Sequence, residues 1–287
     1  MEQVREIFAR IRNRKPDSHK GDYGHVLILA GSIGYTGAPY LASMAALVSG
    51  SGLVTLGVGK SLHVIMASKL VEVMVKPFYE TKEMSLGLLA ERDIVSFAQK
   101  IDCIAVGPGI TRNKETQQLV RNIISKIKKP FVVDADGVIA IAGHLDVLRK
   151  AETPVVLTPH PGEMAALVKK DVAEIQGHRR EIAQEFAREH HCVVVLKGHG
   201  TIVADPVKDC YCNTTGNPGM ASGGTGDVLT GMIASFIGQG LDGYEASVLG
   251  VYLHGLAGDL AAKIKGEHSL IATDLLHQLP DAFKTLA

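Results

Sequence analysis

Six short apolar runs, HVLILAG, GLVTLGV, CIAVGPG, FVVDADG, PVVLTPH and CVVVLKG, recur along the chain, and each gives way to Gly, Pro, His or Asp. Strands with so little polar alternation must be buried on both faces. Between them lie helical patterns: in EIQGHRREIAQEFAREH, Ile175, Ile182 and Phe186 fall on one face at helical spacing. Doubly buried strands that alternate with helices imply right-handed crossovers and parallel pairing. The expected fold class is α/β, a three-layer α/β/α sandwich with a mainly parallel central sheet.

The pattern runs from about residue 20 to the end of the 287-residue chain without a linker, charge block or repeat, so residues 1–287 read as a single domain. Residues 1–19 read as an amphipathic leading helix and a turn. The 46% apolar composition suffices for a substantial core. Thirty basic and thirty acidic side chains cancel, which disfavours a nucleic-acid backbone or an anionic membrane as partner and favours a small molecule. Cys103, Cys192, Cys210 and Cys212 lack CxxC spacing and read as reduced thiols of a cytoplasmic protein. No apolar run suits a signal peptide or a membrane span. His190, His191 and Cys192 imitate a metal cluster, but adjacent ligands converge poorly on one ion, so they read as structural.

In open parallel sheets the ligand crevice lies beyond the carboxyl ends of the strands. That directs attention to residues 31–38, 107–109, 134–137, 158–163 and 197–201, and to NTTGNPGMASGGTGDVLTGMIA at 213–234. This last stretch places six glycines from Gly216 to Gly231 around one carboxylate, Asp227. Val228, Leu229, Met232, Ile233, Phe236 and Ile237 then recur as the stripe of a buried helix face. Glycines let the backbone approach a ligand, and free amides at a helix start cradle an anion. A carboxylate beside a phosphate is unfavourable unless it acts, and taking a proton from an attacking hydroxyl is such an action. The usual phosphate motifs are missing. VGKS at 58–61 would need Gly where Val54 stands, and GPGITR ends in Arg112 where a dinucleotide fingerprint needs glycine.

The loop ending in Gly-Asp at a helix start resembles that of the ribokinase-like superfamily. Nearly the whole chain carries, in order, SHKGDYGHVLILAGS, GYTGAPYLA, VGPG, VVDADG, LTPHPGEMAAL, VVLKGHGTIV and NPGMASGGTGDVLTGMIA. In these the chain is similar to the NAD(P)H-hydrate dehydratases, which restore hydrated NADH and NADPH. The resemblance implies dehydration of the (6S) hydrate, driven by ADP with ATP possible as donor, with Mg²⁺, and yielding NAD(P)H, AMP and phosphate. It implies that Asp227 is the base, and that Gly223, Gly224, Thr225 and Gly226 form the anion hole. Ala38, Gly109, His160 and Asp227 would meet the hydrated dinucleotide, and Lys197, Gly198, His199, Gly200, Thr201 and Gly226 the nucleotide. Glu163 would organise Mg²⁺ through water or serve only its helix's first turn; Asp134 and Asp136 read equally as indirect Mg²⁺ holders or helix caps. It further implies a homo-oligomer, the family tending to tetramers, and a separate epimerase acting upstream. Two rival readings are a vitamin-precursor kinase of the same fold, against which PHPGE and KGHGT argue, and a nucleotide sensor without turnover, against which Asp227 argues.

Overall fold

The structure, a computed structural model, describes residues 1–286. All six apolar runs are strands of one sheet. In chain order the strands are β1 (His25–Leu29), β2 (Leu53–Gly59), β3 (Met74–Phe78), β4 (Cys103–Val106), β5 (Phe131–Val133), β6 (Val155–Leu157), β7 (Val193–Leu196), β8 (Ile202–Ala204) and β9 (Tyr211–Cys212). They lie in the order β3-β2-β1-β4-β5-β6-β7-β8-β9. Pairing is parallel from β3 through to β7 and antiparallel for β7–β8 and β8–β9.

Burial explains the uninterrupted apolar character of the strands. Along β1, Val26 and Ile28 enter one core while Leu27 and Leu29 enter the other, and all four are fully buried. Helices Gly37–Val48, Thr225–Gly238, Gly243–Lys265 and Ala272–Lys284 contribute to the first core; Lys114–Lys126 and Arg179–His190 contribute to the second. These are the three layers. β3 escapes the apolar-run pattern because it is an edge strand, where Lys76 and Pro77 are tolerated.

Two helical readings are refined. The stretch holding Ile175, Ile182 and Phe186 is two helices, Val172–Gly177 and Arg179–His190, broken at His178 (φ −134°, ψ 40°), although all three apolar residues are buried. Helix Thr225–Gly238 shows more than a stripe, since every residue from Val228 to Ile237 is buried. It fits closely because Gly231 admits the backbone of the neighbouring helix: a Cβ there would stand 2.0 Å from the Ala42 carbonyl oxygen.

Strand order reverses between β1 and β4, which opens a crevice at the carboxyl end of the sheet. The loops that follow these strands are tied there, the Gly31 amide to the Pro108 carbonyl at 2.9 Å and the Ser32 hydroxyl to the Gly109 carbonyl at 2.7 Å. No helix among the described residues is long and apolar enough to cross a membrane.

Candidate active site

The ends of β5, β6 and β7 deliver three charged side chains to one point. Asp134 follows β5 and is 1% exposed. A carboxylate buried so deeply needs donors on its oxygens. Its Oδ1 accepts from Lys197 Nζ at 2.5 Å and Thr158 Oγ1 at 2.8 Å, and its Oδ2 accepts from Thr230 Oγ1 at 2.7 Å. Lys197, just after β7, also stands 3.9 Å from Glu163 Oε2. Burial alone would lower the Lys197 pKa, but Asp134, Glu163 and Asp227 together hold it above its ordinary value.

Glu163 and His160 build the start of helix Pro161–Val168. His160 Nδ1 accepts the amides of Gly162 and Glu163 at 3.0 and 3.1 Å, and Glu163 Oε2 accepts the His160 amide at 2.8 Å. This is a reciprocal capping box, with Pro161 in the first turn where its missing N–H is harmless. Glu163 thus serves its helix's first turn, whatever else it does. Burial pushes its carboxyl up, Lys197 pulls it down, and Asp134 pushes it up again. The His160 side chain remains 57% exposed.

Asp227 lies in the first turn of helix Thr225–Gly238. Burial, reinforced by the Asp134 charge and opposed by Lys197, pushes its carboxyl up to about 7. That is where a general base works best at neutral pH. The amides of Gly223, Gly224, Gly226 and Asp227 find no protein acceptor among the described residues, as is usual at a helix start, and they are therefore free to meet an anion. Thr225 behaves differently. Its amide lies 3.5 Å from the Ser222 carbonyl, its hydroxyl donates to the Met220 and Ser222 carbonyls, and its own carbonyl meets His254 Nε2 at 2.8 Å.

A cavity of about 440 Å³ opens on one side of this loop. It gathers Lys197, Gly198, His199, Gly200 and Thr201 with Thr225 and Gly226, and its far wall comes from residues 213–221 and the helix bearing Val251, His254 and Gly255. Its size suits a nucleotide-sized ligand. KGHGT is at the same time the hairpin turn between β7 and β8. The residues assigned to the dinucleotide lie outside this cavity's lining. Ala38 and Gly109 adjoin at the β1–β4 crevice, where a Cβ on Gly109 would stand 3.4 Å from the Ala38 Cβ.

The two remaining aspartates separate. Asp134 caps no helix; its side chain is held by Lys197, Thr158 and Thr230. Asp136 turns away to accept the Thr111 amide at 3.0 Å and to pair with Arg112 at 3.6 Å, so it organises the loop after β4. Among the described residues no three His, Cys, Asp or Glu side chains converge as metal ligands. Of the HHC stretch, His190 packs on the Phe186 ring with centroids 4.4 Å apart, Cys192 is buried, and His191 ends the helix in a left-handed conformation.

Four residues that shape the site escaped sequence reasoning. Thr230 and His254 are polar groups on apolar helices. Asp259 accepts from the Gly216 amide and Asn217 Nδ2 at 2.9 and 3.0 Å, which fixes the cavity wall. Arg179 Nη2 donates to the Leu196 carbonyl at 2.9 Å and to that of Lys197 at 3.3 Å, behind KGHGT. The signal available for His254 and Asp259 was a His and an Asp in HGLAGD, inside a long helix with little other reason for polar residues.

The model of a family described as NAD(P)H-hydrate dehydratase matches residues 26–281. The chain is 45% identical over 278 residues to the bifunctional NAD(P)H-hydrate repair enzyme of Moorella thermoacetica, covering 97% of this chain and 52% of that protein. It thus spans about half the length of the first curated relatives it matches. It is 36% identical over 278 residues to the ADP-dependent (S)-NAD(P)H-hydrate dehydratase of Bacillus subtilis, covering 97% of this chain and 95% of that protein. The crystal structure of the ADP/ATP-dependent NAD(P)H-hydrate dehydratase of Bacillus subtilis, co-crystallised with ATP/Mg²⁺, superposes with a TM-score of 0.81 at 32% identity, over 99% of this chain and 97% of that one. A ribokinase-like superfamily protein from Enterococcus faecalis gives 0.82 at 26% identity, over 99% and 95%.

Proposed function

The chain belongs to the NAD(P)H-hydrate dehydratase family, and from that footing we propose that it is an ADP-dependent lyase acting on the (6S) hydrate of NADH or NADPH. The observation that carries the reading is Asp227: a carboxyl pushed up to about 7, in the first turn of a helix with free amides. A nucleotide-sized cavity adjoins it. ADP would occupy that cavity, against Lys197, Gly198, His199, Gly200, Thr201 and Gly226. The hydrated ring would enter from the β1–β4 crevice, against Ala38, Gly109 and His160.

Hydroxide leaves the hydrated ring poorly at neutral pH, whereas a phosphate ester leaves readily. Asp227 accepts the hydroxyl proton as the hydrate oxygen attacks the terminal phosphorus of ADP, and the bridging P–O bond breaks to release AMP. The amides of Gly223, Gly224, Gly226 and Asp227 stabilise the charge that develops on the phosphoryl oxygens. The hydroxyl and carbonyl of Thr225 meanwhile hold the loop's shape. The ring nitrogen's electrons then expel phosphate, which carries away the hydrate oxygen, and the adjacent ring carbon loses a proton to restore the double bond.

Mg²⁺ keeps most of its waters and binds through few carboxylates and the substrate's phosphates. Glu163 fits such outer contact, because its oxygens already serve the His160 amide and face Lys197. When bound, the ion would supply neutralisation of the phosphate charge.

The deciding experiment is turnover of hydrated NADH, run separately with ADP and with ATP. The reading expects recovery of the NADH absorbance with AMP and phosphate released in equal amounts when ADP is the donor. A stable phosphorylated alcohol as the end product would exclude it.

A further inference from the structure

His254 sits where the long helix Gly243–Lys265 meets both the glycine loop and the cavity. Its Nε2 lies 2.8 Å from the Thr225 carbonyl oxygen. A carbonyl oxygen can only accept, so Nε2 must carry the hydrogen. The ring is neutral, with its pKa pushed down to about 4 by burial, its bond to the Thr225 carbonyl opposing and the Lys197 charge lowering it further. In a neutral imidazole protonated on Nε2, Nδ1 is a bare acceptor. Among the described residues Nδ1 has no hydrogen-bond donor, and the ring is part of the cavity's lining.

The helix is held firmly against the loop. A Cβ on Gly255 would stand 2.2 Å from Thr215 Oγ1, and one on Gly258 would stand 2.3 Å from Met220 Sδ. Asp259 takes the Gly216 amide and the Asn217 side chain from the same side. The acceptor is therefore fixed in position before any ligand arrives, which is what selective recognition requires.

We propose that His254 is a specificity-determining residue, an acceptor that reads one N–H or O–H donor on the nucleoside of the ligand in this cavity. The donor is a ribose hydroxyl or the exocyclic amine of the base. The assignment rests on the reading of the cavity as the nucleotide site. Because the same ring holds the Thr225 carbonyl, it joins nucleoside recognition to the loop that would receive the phosphoryl group.

Titration calorimetry with four ligands tests this: ADP, 2′-deoxy-ADP, 3′-deoxy-ADP and purine riboside diphosphate, which lacks the amine. The expected result is that one analogue binds wild-type protein roughly 5- to 20-fold more weakly than ADP, consistent with the loss of one hydrogen bond to a buried acceptor. In His254→Ala, ADP should weaken by a similar factor and that analogue's penalty should vanish. If wild-type protein binds all four within twofold, the proposal is overturned, and this arm needs no variant to fold. If His254→Ala weakens every ligand equally while the analogue penalty persists, His254 only supports the loop and the proposal again fails. Failure of wild-type protein to bind ADP at all would overturn the site reading, and the His254 assignment with it.

Discussion

Lys197 Nζ stands 2.5 Å from Asp134 Oδ1, joining the carboxyl ends of β7 and β5 beneath the glycine loop. Asp134 is fully buried, and its other donors, Thr158 and Thr230, come from the end of β6 and from the helix that carries Asp227. One carboxylate thus ties together four elements that meet at the site.

Removing that carboxylate leaves a largely buried ammonium with Glu163 at 3.9 Å as its nearest remaining carboxylate, the Thr230 hydroxyl without its acceptor, and Thr158 with only a long contact, 3.4 Å, to the Val133 carbonyl. Asp134→Ala should therefore destabilise the protein by about 3–5 kcal/mol, the usual effect of orphaning a buried charge. Asp134→Asn should lose less, because its amide oxygen can still accept. Urea unfolding at pH 7 measures both; a loss below about 1 kcal/mol for Asp134→Ala, the scale of an ordinary substitution, would show that the network contributes little.

Asp227 must be ionised to take a proton. With its carboxyl pushed up to about 7, kcat/KM for the hydrate should rise with unit slope below that pH and level off above it. Lys197 opposes the rise, so Lys197→Met should move the midpoint to higher pH. Asp227→Asn should cut turnover by roughly 10²- to 10⁴-fold while ADP binding persists. Turnover in Asp227→Asn close to wild type would remove this residue from the chemistry.

The same carboxyl makes an opposite demand on stability. Its folded pKa, about 7, lies above the ordinary value of 3.8, so the folded state holds a proton that the unfolded state has released between those pH values. Stability from this group is then lost as pH rises toward 7 and stays low above it. Asp227→Asn abolishes the effect and should be more stable than wild type at pH 8, by on the order of 1 kcal/mol or more. The gap should narrow at pH 5. Equal melting temperatures at pH 8 would contradict the burial of a charge at this position.

The glycines of the loop differ in what they require. Gly224 has φ of 94°, and a Cβ there would stand 2.5 Å from Leu41 Cδ1 and 3.2 Å from Ala272 Cβ. Gly224→Ala should therefore destabilise by roughly 1–3 kcal/mol and disturb the amide cradle. At Gly223 nothing lies within 4 Å of a Cβ and φ is not strained. Gly223→Ala should fold with wild-type stability, so any fall in its turnover reports crowding of the ligand. Thermal melts of both variants separate the two effects, and comparable losses would contradict this assignment.

The strands were legible because double burial leaves a local mark, an unbroken apolar run; β3 was not, since an edge position admits Lys76 and Pro77. The Gly-Asp loop was legible because so dense a run of glycine, costly in chain entropy, answers a demand for close backbone approach. What the sequence could not provide was direction. Asp134 and Asp136 stand two residues apart, yet one turns inward to Lys197 and the other outward to Thr111. Helix geometry likewise decides that His254 faces the loop, a contact across 29 residues that no local pattern encodes.

Arg179 supports KGHGT from behind. Its Nη2 reaches the carbonyls of Leu196 and Lys197, and a Cβ on Gly198, at φ 138°, would stand 2.9 Å from Nη1. The planar fork serves adjacent carbonyls in a way that a lysine's single ammonium cannot. Arg179 is outside the cavity lining, so its loss should act through the shape of the turn. Arg179→Ala should raise KM for ADP by roughly 5- to 20-fold, the worth of one or two charged hydrogen bonds, with kcat changed far less. Arg179→Lys should recover only part of that. Steady-state kinetics at varied ADP distinguish the outcomes: a fall in kcat with KM unchanged would mean that Arg179 acts on the phosphoryl-transfer loop instead, and full rescue by lysine would mean that charge alone, without the fork, holds the turn.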